Sequence, residues 1–208
     1  MKKFAFIITV LFISVLSTAC INNLAVQELN NKAKVFMDKG DYENAISRLQ
    51  SSIDLDDTIF ETQYNLGVAY TYADKYNEAI ETFNNAIKLN PNMAVTYYSL
   101  GVAQENFAID IIKGAIKSDG SAYTEEELVE LAGDKPTLTK EDITAAKKLY
   151  LDSIQSYEDY LKNDSKAKDR ENVEAKIANI QTELEKLDNP DLINNSNSSS
   201  YNKKMTVE

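Results

Sequence analysis

Apolar residues along this chain recur at intervals of three and four, the spacing of helices that bury one face. The breaks between these stretches carry helix stop and start signals. Asp38-Lys39-Gly40-Asp41 reads as a helix stop, a turn and an N-cap, and Asp74-Lys75 as a second turn. A longer helix is predicted to run through Ile109, Ile112 and Ile116 until Ser118-Asp119-Gly120 ends it. Thr124 with Glu127 has the spacing of a capping box and predicts a short helix, which Gly133 and Pro136 would close. Thr139 with Asp142 is placed to cap the next one. After Tyr157, Tyr160 and Leu161 the chain turns at Asn163-Asp164-Ser165. Val173, Ile177, Ile180, Leu184 and Leu187 then mark a last amphipathic helix, and the Asn- and Ser-rich tail 189–208 is expected to be disordered.

The pattern also repeats. At a shift of 34, Tyr42 falls on Tyr76, Ala45-Ile46 on Ala79-Ile80, Leu49 on Phe83 and Leu55 on Leu89. Leu66-Gly67, Tyr70, Tyr76, Ala79, Phe83, Ala86 and Pro91 resemble the tetratricopeptide (TPR) pattern closely. The first copy is looser, with Ala33 at the small position, then Phe36, Tyr42, Ala45 and Leu49, and Asp57 where the second has Pro91. Small residues at Gly67 and Ala79 allow two helices to cross closely. A third copy opens with Tyr97 and Leu100-Gly101, but its second helix is late. Ala146, Tyr150 and Ser153-Ile154 read as that helix, displaced by an insertion at 113–140.

The resemblance implies an all-α fold: a short α-solenoid of about three TPR helix hairpins, the third interrupted, with a C-terminal capping helix. The repeats fall at 26–59, 60–93 and 94–162, and the capping helix, at 166–187, completes a TPR domain spanning 26–188.

The first 19 residues have another character. Met1-Lys2-Lys3, the apolar run Phe4 to Leu16 and Ser17-Thr18-Ala19 form the n-region, h-region and small-residue end of a secretory signal. The run is shorter than the roughly 20 residues of a bilayer-spanning helix. The single cysteine, Cys20, directly follows it, and Leu16-Ser17-Thr18-Ala19-Cys20 resembles a relaxed bacterial lipobox, its Leu one place further from the Cys than usual. The resemblance implies lipidation of Cys20 as the mature first residue, a linker at 20–25, and export through the general secretion route to the cell envelope. Ile21, where Asp would signal inner-membrane retention, favours an outer membrane.

Composition narrows the chemistry. The chain has 208 residues with 33 acidic against 22 basic side chains, a net charge of −11, which argues against nucleic acid as a partner. With no His and one Cys, no His/Cys zinc site, structural disulfide or imidazole-based catalysis is expected. Glu125, Glu126, Glu127 and Glu130 cluster, as do Asp54, Asp56 and Asp57. Neither cluster has calcium-loop spacing, and glutamates opening a helix suit its dipole. No metal, cofactor or enzymatic role is expected.

In TPR proteins the first helix of each repeat lines a concave groove. The resemblance places Gln27, Asn30, Lys34, Met37 and Asp38 there from repeat one, and Glu61, Tyr64, Val68, Thr71 and Tyr72 from repeat two. Repeat three adds Val95, Tyr98, Val102, Glu105 and Asn106. The expected peptide groove is Tyr64, Val68, Tyr72, Val95, Tyr98 and Val102 at its centre, with Asn30, Lys34 and Asn65 at its polar edges. Asn65 matches one position of the clamp by which chaperone-binding TPRs hold a C-terminal carboxylate, but Val95 and Ser99 stand where basic residues are needed. The reading is a membrane-anchored scaffold or adaptor with a protein or peptide partner. Its alternative is a structural envelope component acting through self-association or cell-wall contact, or the groove side chains pack on this chain's own insertion and long helix.

Overall fold

The computed structural model describes residues 23–131 and 136–189, and the regular elements among them are all helices. Residues 23–37 form α1. Then come α2 (Tyr42–Leu55), α3 (Phe60–Tyr72), α4 (Tyr76–Leu89), α5 (Ala94–Ile112), α6 (Glu125–Glu130), α7 (Lys140–Asn163) and α8 (Arg170–Asp188). They gather into two compact units, one ending at Pro91 and the other starting at Asn92. The signal segment, Cys20 and the tail from residue 190 lie outside the described residues, as do 132–135 within the insertion.

In the first unit α2 packs on α3 and α3 on α4. The residues shared at a period of 34 supply the core: Ala33, Ala45, Leu49, Ala79, Phe83 and Ala86 are fully buried. The small positions are small for a steric reason. A Cβ on Gly67 would lie 2.7 Å from the Phe83 ring, so α3 and α4 close to this distance only because it is absent. The turns follow the same period. Gly40 has φ of +73°, and 34 residues later Asp74 takes φ of +57°, a left-handed conformation that Asp tolerates better than most residues. Asp41 caps α2 by accepting from the Asn44 backbone N–H.

In the second unit α5 packs along α7, and α7 on α8. Here the structure corrects the register read from sequence. Ala146 was the expected counterpart of Ala79, but a Cβ on Gly101 would meet the Tyr157 ring at 2.9 Å, and Ser153 Oγ donates to the Gly101 carbonyl at 2.8 Å. Tyr157 therefore plays the part of Phe83, and Ser153 that of Ala79, seven residues later than the spacing implied. Seven residues are almost two helical turns, so Ala146 and Ser153 share a face and periodicity alone cannot separate them. The extra turns lengthen both helices, and Phe107 and Ile111 of α5 and Ala146 of α7 are buried there.

Between these helices runs the chain from Lys113 to Thr139. The capping boxes expected at Thr124/Glu127 and Thr139/Asp142 both form. A Lys117–Glu127 ion pair of 2.8 Å ties the start of this segment to α6.

Candidate functional site

The expected groove residues divide between the units. In the first, Tyr72 is 62% exposed and lies flat against Tyr42, ring centroids 5.0 Å apart with 10° between planes. Tyr64 is half-buried, stacked on Phe60 and tilted against Phe83, each at 6.0 Å. Val68 and Asn65 are also half-buried, while Lys34 is exposed. In the second unit Val95 is exposed and Val102 half-buried. Tyr98 sits between Tyr157 and Tyr160 of α7, at 5.5 and 5.4 Å. Much of its ring is thus occupied within its own hairpin, by α7 and not by the insertion or the long helix α5 that the packing alternative named.

Asn30, expected at a polar groove edge, is half-buried and commits its amide nitrogen within the unit. Its amide nitrogen reaches the Val26 carbonyl, Ser52 Oγ and Thr62 Oγ1, each at 2.9 Å. One side chain thereby joins α1, α2 and α3, with Ser52 and Thr62 both fully buried. Its own oxygen is buried without a hydrogen-bond partner. Sequence reading missed this junction because Asn30, Ser52 and Thr62 are related by no repeat period. Beside it, Gln27, Asn30, Asn31 and Val26 of α1 with Ile59 and Glu61 line a cleft of about 370 Å³.

The second unit holds a polar seam that sequence reading also missed. Ser156 Oγ lies 2.8 Å from Gln104 Oε1, and the Tyr157 hydroxyl donates to Glu105 Oε2 at 2.6 Å. Lys176 of α8 bonds the same oxygen at 2.9 Å and lies 5.7 Å from the Tyr157 ring centre. Burial, then the Glu105 carboxylate, push the Tyr157 hydroxyl far above the usual tyrosine range. Tyr160 donates to Asp169 at 2.6 Å, and that carboxylate, with burial, pushes its pKa up to about 12. These tyrosines are fixed hydrogen-bond donors at all physiological pH. Next to the seam, α5, α7 and α8 enclose a second cleft, of about 310 Å³. Among the described residues no group of three or more acidic or Cys side chains is arranged to hold a metal ion.

Comparison with known proteins agrees with this geometry. A tetratricopeptide-repeat family model matches residues 60–93 and a second TPR-repeat model matches 33–73, so that stretch carries TPR repeats. Among solved structures the chain is similar to the first TPR domain of the human RPAP3 protein, with 17% identity and a TM-score of 0.53, over 79% of this chain and 96% of that one. It is equally similar to the first TPR of Spaghetti (RPAP3) bound to the HSP90 peptide SRMEEVD, with 17% identity and a TM-score of 0.53, over 77% and 94% of the two chains. The second TPR domain of human RPAP3, in complex with the HSP70 peptide SGPTIEEVD, gives 17% identity and a TM-score of 0.52 over 77% and 98%. Identity this low makes the likeness one of fold. No curated protein sequence matches the chain. The fold is therefore an all-α array of TPR hairpins, a framework that generally serves protein–protein interaction without catalysis.

Proposed function

We propose that this chain is a peptide-binding TPR module, lipid-anchored through Cys20, that acts as a scaffold or adaptor in a bacterial cell envelope. The observation that carries the binding role is that side chains from the groove-lining positions of the TPR pattern line a cleft in each unit. Gln27, Asn30 and Glu61 do so in the first and Glu105 in the second. In this reading Tyr64, Val68 and Tyr72 on the first unit, and Val95, Tyr98 and Val102 on the second, which line neither cleft, supply further contact surface. Partly exposed tyrosines, with an apolar ring and a polar hydroxyl, suit a partner segment of mixed apolar and polar character. A peptide ending in EEVD is not the ligand favoured here, because Val95 and Ser99 supply no positive charge to its carboxylates. The envelope address rests on the signal-like residues 1–19 and the lipobox resemblance at Cys20.

The test is crosslinking capture from envelope membranes with wild type and with the Tyr64→Ala/Tyr72→Ala/Tyr98→Ala variant. A partner lost from the folded variant is expected. A partner retained by it moves the working surface to the 113–139 segment or elsewhere. Light scattering of purified protein at high concentration is expected to give a monomer. A stable oligomer, with this chain as its own principal crosslinked product, would replace the adaptor reading with the structural one.

A further inference from the structure

The cleft between α5, α7 and α8 contains a buried group that the packing leaves unused. Tyr150 is 3% exposed, and it lines the cleft together with Ile109, Ile112 and Ile180. Its neighbours along α7 show what a buried tyrosine here ordinarily does, since Tyr157 and Tyr160 each donate to a carboxylate at 2.6 Å. The Tyr150 hydroxyl has no hydrogen-bond partner among the described residues. A hydroxyl in a cleft wall with no protein partner is open to a hydrogen bond from an occupant of the cleft.

The charges around it define the occupant. Glu105 and Glu183 both line the cleft. Glu105 spends one oxygen on Tyr157 and Lys176, and Glu183 one oxygen on Lys186 at 2.6 Å. Their second oxygens have no partner among the described residues. Burial, followed by the Glu183 and Glu105 carboxylates, raises the Tyr150 pKa well above its usual range, so the potential at that hydroxyl is negative. Lys113, the cation lining the cleft, is exposed and pairs with no carboxylate among the described residues. An anion would have to approach two carboxylates to reach Tyr150. A cation on an aliphatic stem meets the isoleucines with its methylenes, and two carboxylates and a phenolic oxygen with its head.

We infer that this cleft receives a lysine or arginine side chain of a partner polypeptide, its stem against Ile109, Ile112 and Ile180 and its head beside Tyr150 and Glu183. This rests on the peptide-binding reading above and names the residue type that the second unit selects.

The test uses the full chain, purified in mild detergent, with labelled tyrosine rings and isoleucine methyls followed by NMR. The Tyr150 signal is assigned through Tyr150→Phe and the Ile180 signal through Ile180→Val. The probes are the N-acetyl amides of arginine, norleucine and glutamate. The arginine compound should shift both signals saturably, with a dissociation constant on the order of 1 mM for so small a ligand. Norleucine should bind about fivefold or more weakly, and Glu183→Gln should weaken arginine by a similar factor. Lys113→Ala should leave arginine binding unchanged or tighter. Equal shifts from norleucine would reduce the site to a plain apolar cleft. Tighter binding of the glutamate compound, lost in Lys113→Ala, would make it an anion site, and no shift with arginine would remove it. Each of these three results overturns the inference. A crosslinked partner lost from the tyrosine triple variant but held by Glu183→Gln as by wild type would sink it too, while leaving the peptide-binding function standing. Saturable arginine binding without any captured partner would keep a cation-binding cleft but remove the peptide-binding function, and with it the assignment of that cation to a partner polypeptide.

Discussion

At the scale of single residues, the molecule is decided by which side chains are missing or unsatisfied. Thr96 is fully buried and its hydroxyl has no hydrogen-bond partner. Thr62, one repeat earlier, is bonded to Asn30, whereas the sequence position one repeat after Asn30 is Tyr64. Thr96→Val removes the orphan at nearly constant volume and should stabilise the protein by about 1 kcal/mol, read as a higher denaturant midpoint. Gly67 presents the opposite case. Alanine would gain up to about 1 kcal/mol of helix propensity there, but its methyl would stand 2.7 Å from the Phe83 ring. Gly67→Ala should therefore show a net loss of about 1–3 kcal/mol in chemical denaturation. Gly40 has open space around it, so Gly40→Ala should lose only the left-handed backbone strain, about 1 kcal/mol.

At the scale of elements, the segment between α5 and α7 depends on one carboxylate. Asp142 is buried at the start of α7, and its Oδ2 accepts from the Thr139 backbone N–H at 3.0 Å and from the Thr139 hydroxyl at 2.8 Å. Burial is the largest single influence and opposes its ionisation. Hydrogen bonds from Thr139 and from Ser118, across the segment, together outweigh it and hold the carboxyl below its usual range. A depressed folded pKa gives stability that is complete above the unfolded value and is lost as pH falls through the folded one. The melting temperature should therefore drop more steeply in wild type than in Asp142→Asn between about pH 5 and pH 3. Parallel pH profiles for the two would show that the Ser118–Asp142–Thr139 clasp contributes nothing to stability.

At the scale of the whole molecule, charge and the ends of the chain govern behaviour. Cleavage before Cys20 would remove Lys2 and Lys3 and take the net charge from −11 to −13. No described helix is long and apolar enough to cross a membrane. Within the proposed function the anchor is the lipid on Cys20. Two or three acyl chains, at about 0.8 kcal/mol per buried methylene, hold firmly where one short chain does not. Cys20→Ser should move the protein into the soluble fraction on membrane fractionation. Unchanged membrane association of that variant would overturn the lipobox reading.

The sequence by itself determined the helical class and the hairpin unit. A period of 34 with small residues at Gly67 and Ala79 is a steric requirement written directly into residue size, and the capping boxes at Thr124 and Thr139 are local hydrogen-bond patterns. Such features depend on residues close in the chain or on a fixed period, so they can be read without coordinates. The candidate site was legible only as a list of positions. That Asn30 turns inward to Ser52 and Thr62, that Tyr157 and not Tyr150 fills the space beside Gly101, and that Glu105 meets Lys176 were decided by tertiary structure. Each joins residues 22 to 71 apart with no common period. The heptad ambiguity in α7 has the same origin, since two helical turns present nearly the same face. Only the closest approach of α5, at Gly101, selects between the two registers.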